Sequence, residues 1–296
     1  MNLCHPIGHC LSRDHTSYQL RGAWRQADSL HRMPGRNHDI REFLQRTNMR
    51  QTIRSHRTHP LPRIQGSYVL FDGTSLSPKA LIDGIAITNL RTPAVSISCT
   101  YDFFADEDAT SPLRVAIFGT GPQGRAHAAT VESTFPQRDC SITFISRTEP
   151  DALDDSYHWA QAGSAEAREA TRGADLILCT TTAAEPIVQR DDVADNAVIV
   201  AVGSHSPDAR ELSTDLVAAS HVIVEDMEAT LREGGDIIQP LNEDAIKKND
   251  LFTFADVVSG KVTIKRDRPI AFKFTGMPWE DLALAEAIAD KLAPQH

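Results

Sequence analysis

Residues 114–124 read Arg-Val-Ala-Ile-Phe-Gly-Thr-Gly-Pro-Gln-Gly. The first five predict a short apolar strand of the kind buried inside a parallel sheet, and a helix is predicted over about residues 123–133. In that context the spacing G-x-G-x-x-G is typical of a turn that binds the pyrophosphate of a dinucleotide at a helix N-terminus. The alternative is a plain strand-to-helix turn. The residues of the turn predicted to contact a coenzyme are Gly119, Gly121, Pro122, Gln123 and Gly124.

Strand and helix patterns alternate on the C-terminal side of this turn. Strands are predicted at 141–145, 175–179, 196–202 and 221–225, with helices near 165–171, 214–219 and 227–233. Such alternation is typical of a parallel sheet with helices on both faces. The sequence therefore predicts an α/β fold, a Rossmann-type doubly wound parallel sheet, over residues 113–269.

The end of the second strand indicates which coenzyme binds. An acidic residue about 20 residues after the glycines would accept from the ribose 2′-OH of NAD. Ser146, Arg147 and Thr148 stand there instead, and the first carboxylate is Glu149. A guanidinium suits a 2′-phosphate. The pattern thus favours NADP(H), with NAD(H) as the alternative and a solvated surface arginine as the other interpretation of Arg147.

The region before the turn has a different pattern. Residues 68–71 and 78–82 predict an antiparallel hairpin, and Pro93 to about Tyr101 predicts a helix capped by Thr92. A long amphipathic helix is predicted at residues 280–292.

Residues 1–60 differ from the rest of the chain. They hold ten arginines, no lysine, four acidic residues and seven of the twelve histidines, a formal charge of +6. A basic arm for an anionic partner is one interpretation. The spacing of Cys4, His5, His9 and Cys10 fits no common zinc pattern, so no metal site is predicted. We expect an atypical, partly disordered region with little structure before about Arg36.

Composition excludes several classes of protein. The chain has 296 residues, 41% hydrophobic and 24% charged, which is ordinary for one or two globular domains. A net charge of −10 argues against nucleic acid as a partner. There is no apolar run of the roughly 18 residues that a membrane-spanning helix needs. Five scattered cysteines favour free thiols and a cytoplasmic location.

Several stretches, in order, resemble the ornithine cyclodeaminase/mu-crystallin family over about residues 61–296. They include Leu-Ile-Asp-Gly at 81–84, Leu-Arg-Thr-Pro-Ala at 90–94, the glycine turn, Pro-Asp-Ala-Arg-Glu-Leu at 207–212, Glu-Gly-Gly-Asp at 233–236 and Phe-Lys-Phe-Thr-Gly-Met at 272–277. The resemblance implies a Rossmann domain inserted in a smaller α+β substrate and dimerisation domain, here residues 61–112 and 270–296. It also implies a homodimer that acts on a small imino or amino acid with a nicotinamide coenzyme.

The resemblance also assigns residues to roles. Arg91 stands where the family grips the substrate carboxylate, and a guanidinium suits that task chemically; the alternative is a surface salt bridge. Ser67 and Thr92 take neighbouring substrate positions, and Lys273 is a further substrate-binding candidate or the partner of Glu280 or Asp281. The coenzyme contacts expected at the ends of later strands are Thr181, Val202, Gly203 and Ser204.

Two departures from the family pattern bear on function. His205 stands where cyclodeaminases have their acid/base aspartate. A histidine can carry a proton near neutral pH, so His205 joins Arg91 as a predicted catalytic residue, or is an ordinary loop histidine. The family's N-terminal substrate-binding lysine has no counterpart in residues 1–60, where Arg50, Arg54 and Arg57 are the nearest candidates for its arginine.

Three functions follow as hypotheses. The first is an NAD(P)H-dependent oxidoreductase that acts on the C–N bond of an imino or amino acid, as a ketimine reductase does. The second is an ornithine cyclodeaminase, a lyase that converts ornithine to proline and ammonia with bound NAD. The third is a member that binds coenzyme or ligand without catalysis.

Overall fold

The structure is a computed structural model that describes residues 65–105 and 111–292. The predictions for residues 1–60 therefore lie outside the described residues. The described chain forms two compact units, one from Thr92 to Gly276 and the other from the residues up to Arg91 and those from Met277 onward. The sequence had placed these boundaries at 112/113 and 269/270.

The helices and strands follow in chain order. They are β1 (Ser67–Phe71), β2 (Pro78–Asp83), α1 (Gly84–Thr100), β3 (Leu113–Phe118), α2 (Pro122–Thr134), β4 (Cys140–Ser146), β5 (His158–Gln161), α3 (Ala165–Gly173), β6 (Leu176–Cys179), β7 (Val198–Ala201), α4 (Thr214–Ala219), β8 (His221–Val224), α5 (Met227–Glu233), α6 (Gly235–Asn242), β9 (Leu251–Thr253), α7 (Phe254–Val258), β10 (Ile270–Lys273) and α8 (Pro278–Leu292).

In the smaller unit, β1 and β2 form the predicted antiparallel hairpin. One face of the hairpin is apolar and packs on helices, because side chains alternate between the faces of a strand. Leu70 of β1 is buried with Ile87 of α1 and with Leu284 and Ala285 of α8. This cluster is the core of the smaller unit.

Helix α1 begins nine residues earlier than the sequence predicted. The predicted start at Pro93 is wrong, and Pro93 lies inside the helix. The true start is set by Asp83, whose carboxylate Oδ1 accepts hydrogen bonds from the backbone N–H groups of Ile85 (2.7 Å) and Ala86 (3.1 Å). Proline interrupts one backbone hydrogen bond of the helix, a cost that a 17-residue helix carries here.

The larger unit contains an eight-stranded sheet in which every neighbouring pair is parallel. The strand order is β5-β4-β3-β6-β7-β10-β8-β9. The chain builds outward from β3 to β5 and then returns to place β6 on the other side of β3. Ligands of such sheets bind at the carboxyl ends of the strands beside this reversal, which here means β3 and β6. The predicted α/β fold with a doubly wound sheet is confirmed.

The strands are apolar because both faces of the sheet are covered. All residues of β6, β7 and β10 are buried. Strand β10 lies in the large sheet, whereas the sequence had assigned residues 270–273 to the smaller domain. Its four residues lie between β7 and β8, pairing Phe272 with Val200 and Ile223.

Within residues 65–105 and 111–292, no helix has the length and apolar character needed to span a lipid bilayer.

Candidate active site

The glycine turn follows β3 and is held by tight backbone packing. Gly119 has φ of +105°, which side chains rarely permit. A Cβ on Gly124 would lie 2.1 Å from the Gly119 carbonyl oxygen, and 3.2 Å from Oγ1 of Thr180. Thr180 in turn donates from that hydroxyl to the carbonyl of Phe118 (2.8 Å). Gly119 and Gly124 therefore serve the packing of β3, α2 and β6.

Gly121 plays a different part, because it is the N-cap of α2. Its backbone is extended, with φ −74° and ψ −177°, and no side chain caps the helix N-terminus within the described residues. A Cβ built on Gly121 would meet no atom within 4 Å. The uncapped N–H groups of the first turn, behind an open backbone, fit the pyrophosphate of a coenzyme.

Arg125 connects the glycine turn to the loop that follows β4. Its Nε donates to the carbonyl of Thr120 (3.1 Å) and its Nη2 donates to the carbonyl of Ala152. The guanidinium is exposed, and it lies one turn into α2. It contributes positive charge beside the turn.

His127 is fully buried beneath the same helix. Its Nδ1 lies 2.8 Å from the carbonyl oxygen of Gln123, and its Nε2 lies 3.1 Å from Oγ of Ser96 on α1. A carbonyl can only accept, so Nδ1 carries the proton in the neutral ring and Nε2 is left as an acceptor. The Ser96 hydroxyl beside Nε2 also lies 2.9 Å from the carbonyl oxygen of Thr92, and its one proton serves one of these two acceptors. Burial lowers the pKa of His127 to about 4, although the Gln123 carbonyl opposes the shift.

At the end of β4, the side chain of Ser146 is held by hydrogen bonds within the protein, whereas that of Arg147 is exposed. The Ser146 hydroxyl donates to the carbonyl of Thr148 (2.7 Å) and accepts from Nε1 of Trp159 on β5 (2.9 Å). Its proton is thus not available to a phosphate. Arg147 and Thr148 are exposed, and the ion pairs found among the described residues do not include Arg147.

The loops after β6 and β7 meet at a buried carboxylate that the sequence analysis did not single out. Oε1 of Glu211 accepts from both the backbone N–H and the hydroxyl of Thr181, each at 2.8 Å. Oε2 accepts from the N–H of Gly203 at 2.8 Å. Burial raises the pKa of Glu211, while Lys273 and the Thr181 donors favour its ionised form.

Lys273 ends β10, and its ammonium is buried. Nζ lies 2.8 Å from Oδ2 of Asp236 and donates to the carbonyl of Ser204 at 2.6 Å. The predicted partners Glu280 and Asp281 are therefore replaced by Asp236. The reason is that Lys273 lies within the large sheet, beside the first turn of α6.

The remaining predicted coenzyme residues lie on the loop after β7. The N–H of Val202 donates to the carbonyl of Cys179 (3.0 Å), the last backbone bond between the two strands. The hydroxyl of Ser204 donates to the carbonyl of Ala209. His205 follows on the same loop and is exposed. Thr181, Val202, Gly203, Ser204 and His205 thus lie at one edge of the sheet, as predicted.

In the smaller unit, Arg91 is held by two carboxylates of α8. Nη1 donates to Oε2 of Glu280 (3.1 Å), and Nε lies 3.3 Å from Oδ1 of Asp281. The Arg91 side chain is 20% exposed and that of Glu280 is fully buried. Burial raises the pKa of Asp281, and the Arg91 guanidinium opposes this shift. Ser67 is exposed on β1, and Thr92, the first residue of the larger unit, is half-buried.

Sequence reasoning missed four residues that shape the site: Arg125, His127, Glu211 and Asp236. Each of the first two lies one helical turn after a residue of the glycine turn, so their spacing was an available signal. Glu211 and Asp236 lie within stretches that carried the family resemblance, at 207–212 and 233–236. Their pairing depends on residues 25 positions apart, which no local pattern predicts.

Comparison with curated proteins finds relatives that cover most of the chain. Ketimine reductase mu-crystallin of Rattus norvegicus is 31% identical over 79% of this chain and 72% of its own length. Delta(1)-pyrroline-2-carboxylate reductase of Colwellia psychrerythraea is 27% identical over 79% of this chain and 76% of its own.

A solved structure agrees with these relatives. The Delta(1)-pyrroline-2-carboxylate reductase of Thermococcus litoralis, in complex with NADH and L-proline, superposes with a TM-score of 0.68 and 28% identity. It covers 78% of this chain and 72% of its own. The model of the ornithine cyclodeaminase/mu-crystallin family matches residues 22–296. The chain therefore belongs to the ornithine cyclodeaminase/mu-crystallin family, which confirms the resemblance found in its sequence.

Proposed function

We propose that this protein is an NADPH-dependent reductase of the C=N bond of a small cyclic imino acid. The observation that carries the proposal is the glycine turn, in which Gly121 is open and no side chain of the described residues caps the helix N-terminus. The relatives named as ketimine and pyrroline-2-carboxylate reductases support the reaction class. The cytoplasmic location and the homodimer remain predictions.

NADPH is preferred because of the end of β4. Arg147 is exposed there and enters none of the ion pairs of the described residues. A bidentate guanidinium is suited to a 2′-phosphate, and a carboxylate that would take the ribose hydroxyl of NADH is missing before Glu149. NADH is the coenzyme in the Thermococcus litoralis complex, so coenzyme choice needs its own test.

The coenzyme, when bound, supplies the hydride. The residues of the chain bind the coenzyme and the substrate and orient them. We assign Arg91 to the substrate carboxylate and His205, or a water that it orients, to proton donation. Buried Glu280 already accepts from one nitrogen of Arg91. The substrate carboxylate therefore competes with Asp281, whose side chain is 27% exposed, for the other nitrogens of the guanidinium.

The test is a comparison of coenzymes on the wild type and one variant. Wild-type protein should oxidise NADPH in the presence of Δ1-pyrroline-2-carboxylate or Δ1-piperideine-2-carboxylate. Arg147→Ser should raise the KM for NADPH by roughly ten- to a hundredfold, since one charge-assisted contact is worth about 1.5–3 kcal/mol. The KM for NADH should stay unchanged. Arg232→Ser, which removes another exposed arginine far along the chain on α5, is the matched control.

Two other outcomes would refute the proposal in different ways. Ammonia release from ornithine with no net change in coenzyme would identify a cyclodeaminase. Binding of NADPH without turnover on any imino acid would identify a member that binds coenzyme without catalysis. An Arg147→Ser variant with unchanged preference would refute the role of Arg147 alone.

A further inference from the structure

Three charged side chains are buried together in the larger unit. Glu211 and Asp236 are 0% exposed and Lys273 is 1% exposed. Burying charge is costly unless the groups are paired and hydrogen-bonded, and removing one partner of such a group is strongly destabilising. Their position at the carboxyl edge of the sheet therefore needs an explanation beyond general stability.

Glu211 joins two loops that the sheet itself leaves separate. The ladder between β6 and β7 ends at the bond from Val202 to Cys179. Beyond it, one carboxylate takes the N–H and hydroxyl of Thr181 and the N–H of Gly203. The loops approach so closely that a Cβ on Gly203 would lie 2.0 Å from the Thr181 carbonyl oxygen. Three donors on one carboxylate leave little freedom to either loop.

Asp236 and Lys273 in turn hold the backbone of Glu211 and the loop after β7. Oδ1 of Asp236 accepts from the N–H groups of Glu211 (2.7 Å) and Leu212 (2.8 Å). Lys273 binds the other oxygen of Asp236 and the carbonyl of Ser204. The loop after β7 is thus fixed at Gly203 through its N–H and at Ser204 through its carbonyl, immediately before the exposed His205.

We infer that Glu211 is a positioning residue: supported by Asp236 and Lys273, it fixes the loops at 180–183 and 202–206 in the shape that receives the nicotinamide half of the coenzyme. The inference rests on the proposed function. The adenosine half depends on other residues, namely the glycine turn and the end of β4. Loss of Glu211 should therefore affect the two halves of the coenzyme unequally.

The chain offers a matched control at the other end of β6. Asp175 immediately precedes that strand and also accepts three hydrogen bonds, from the N–H, Nε and Nη2 of Arg114. Asp175→Asn perturbs the same sheet at its amino edge. It should lower the melting temperature without altering the binding of any part of the coenzyme.

The experiment is calorimetric titration of full-length protein with NADPH and with 2′,5′-ADP, which carries only the adenosine half. NADH and 5′-AMP replace them if the wild type prefers NADH. Glu211→Gln has one acceptor in place of two and should weaken NADPH binding by roughly ten- to a hundredfold. Its affinity for 2′,5′-ADP should stay within twofold of wild type.

A second variant guards against loss of folding. Glu211→Asp keeps the charge beside Lys273 but is one methylene too short to reach both loops, so it should fold and still lose NADPH affinity selectively. Equal weakening of both ligands in a folded Glu211 variant, or no weakening of either, overturns the inference. A wild type that binds neither NADPH nor NADH refutes the proposed function instead.

Discussion

Adding a methyl group at Gly121 should separate coenzyme binding from stability. Alanine tolerates the φ of −74° and ψ of −177° found there, and a Cβ would meet no atom within 4 Å. Gly→Ala at a compatible backbone gains about 0.4–1 kcal/mol, while alanine is a poorer N-cap than glycine by a similar amount. The free energy of unfolding of Gly121→Ala should thus stay within about 1 kcal/mol of wild type.

The same methyl group occupies the space through which a pyrophosphate would approach the backbone. Forcing a methylene-sized group into a close contact costs about 1–3 kcal/mol, which is roughly 5- to 150-fold in Kd. The assay is titration of NADPH fluorescence, combined with thermal melting of the free protein. The expected result is a weaker Kd at an unchanged melting temperature.

Gly124→Ala provides the opposite pattern. Its Cβ would lie 2.1 Å from the backbone oxygen of Gly119, which cannot move without disturbing the turn. We expect a loss near the upper end of about 1–3 kcal/mol, or roughly 6–12 °C in melting temperature for a domain of this size. Wild-type affinity for NADPH in Gly121→Ala would refute the assignment of this turn to the pyrophosphate. Wild-type stability in Gly124→Ala would refute the packing described for it.

Two further predictions concern buried or paired charges. Burial lowers the pKa of His127 to about 4. Between this value and the ordinary histidine pKa of about 6.5, the unfolded chain therefore binds a proton that the folded chain does not. Protonation of His127 should therefore lower the free energy of unfolding by about 3 kcal/mol as the pH falls from 7 to 4. Urea unfolding at the two pH values should show a correspondingly smaller loss of stability in His127→Asn. Equal losses in wild type and variant would contradict the burial of a neutral ring. Arg91→Lys should raise the KM for the imino acid by roughly tenfold or more, because lysine cannot form the bidentate contact with a carboxylate. Asp281→Asn should lower this KM by removing a competing carboxylate. A KM unchanged in both variants would exclude Arg91 from the carboxylate site.

The sequence predicted those parts of the fold that depend on local pattern. Strand β3, the glycine turn and helix α2 are adjacent in the chain, and each has its own periodicity or spacing. The same holds for helices α4 and α5, whose predicted and observed bounds coincide. Local physics decides these elements, so a single sequence suffices.

The errors arise where tertiary contacts override local signals. The proline rule placed the start of α1 at Pro93, but the carboxylate of Asp83 begins the helix earlier and the helix tolerates the proline. Strand β10 was not predicted, because residues 270–273 were assigned to the smaller domain and their pairing with β7 and β8 joins segments distant in sequence. The ion-pair partner of Lys273 was wrong for the same reason, because Asp236 is distant in sequence and adjacent only in the folded protein.

The placement of β10 between β7 and β8 has a consequence for synthesis. Strand β8 pairs with β10 and β9 but not with β7, so the sheet stays divided until residues 270–273 leave the ribosome. During that interval β7 and β8 both expose unpaired edges, which are sites for non-native association. Nascent chains that stall before this point should need chaperone protection, and a cut that removes the last 30 residues should abolish the continuous sheet rather than trim its margin.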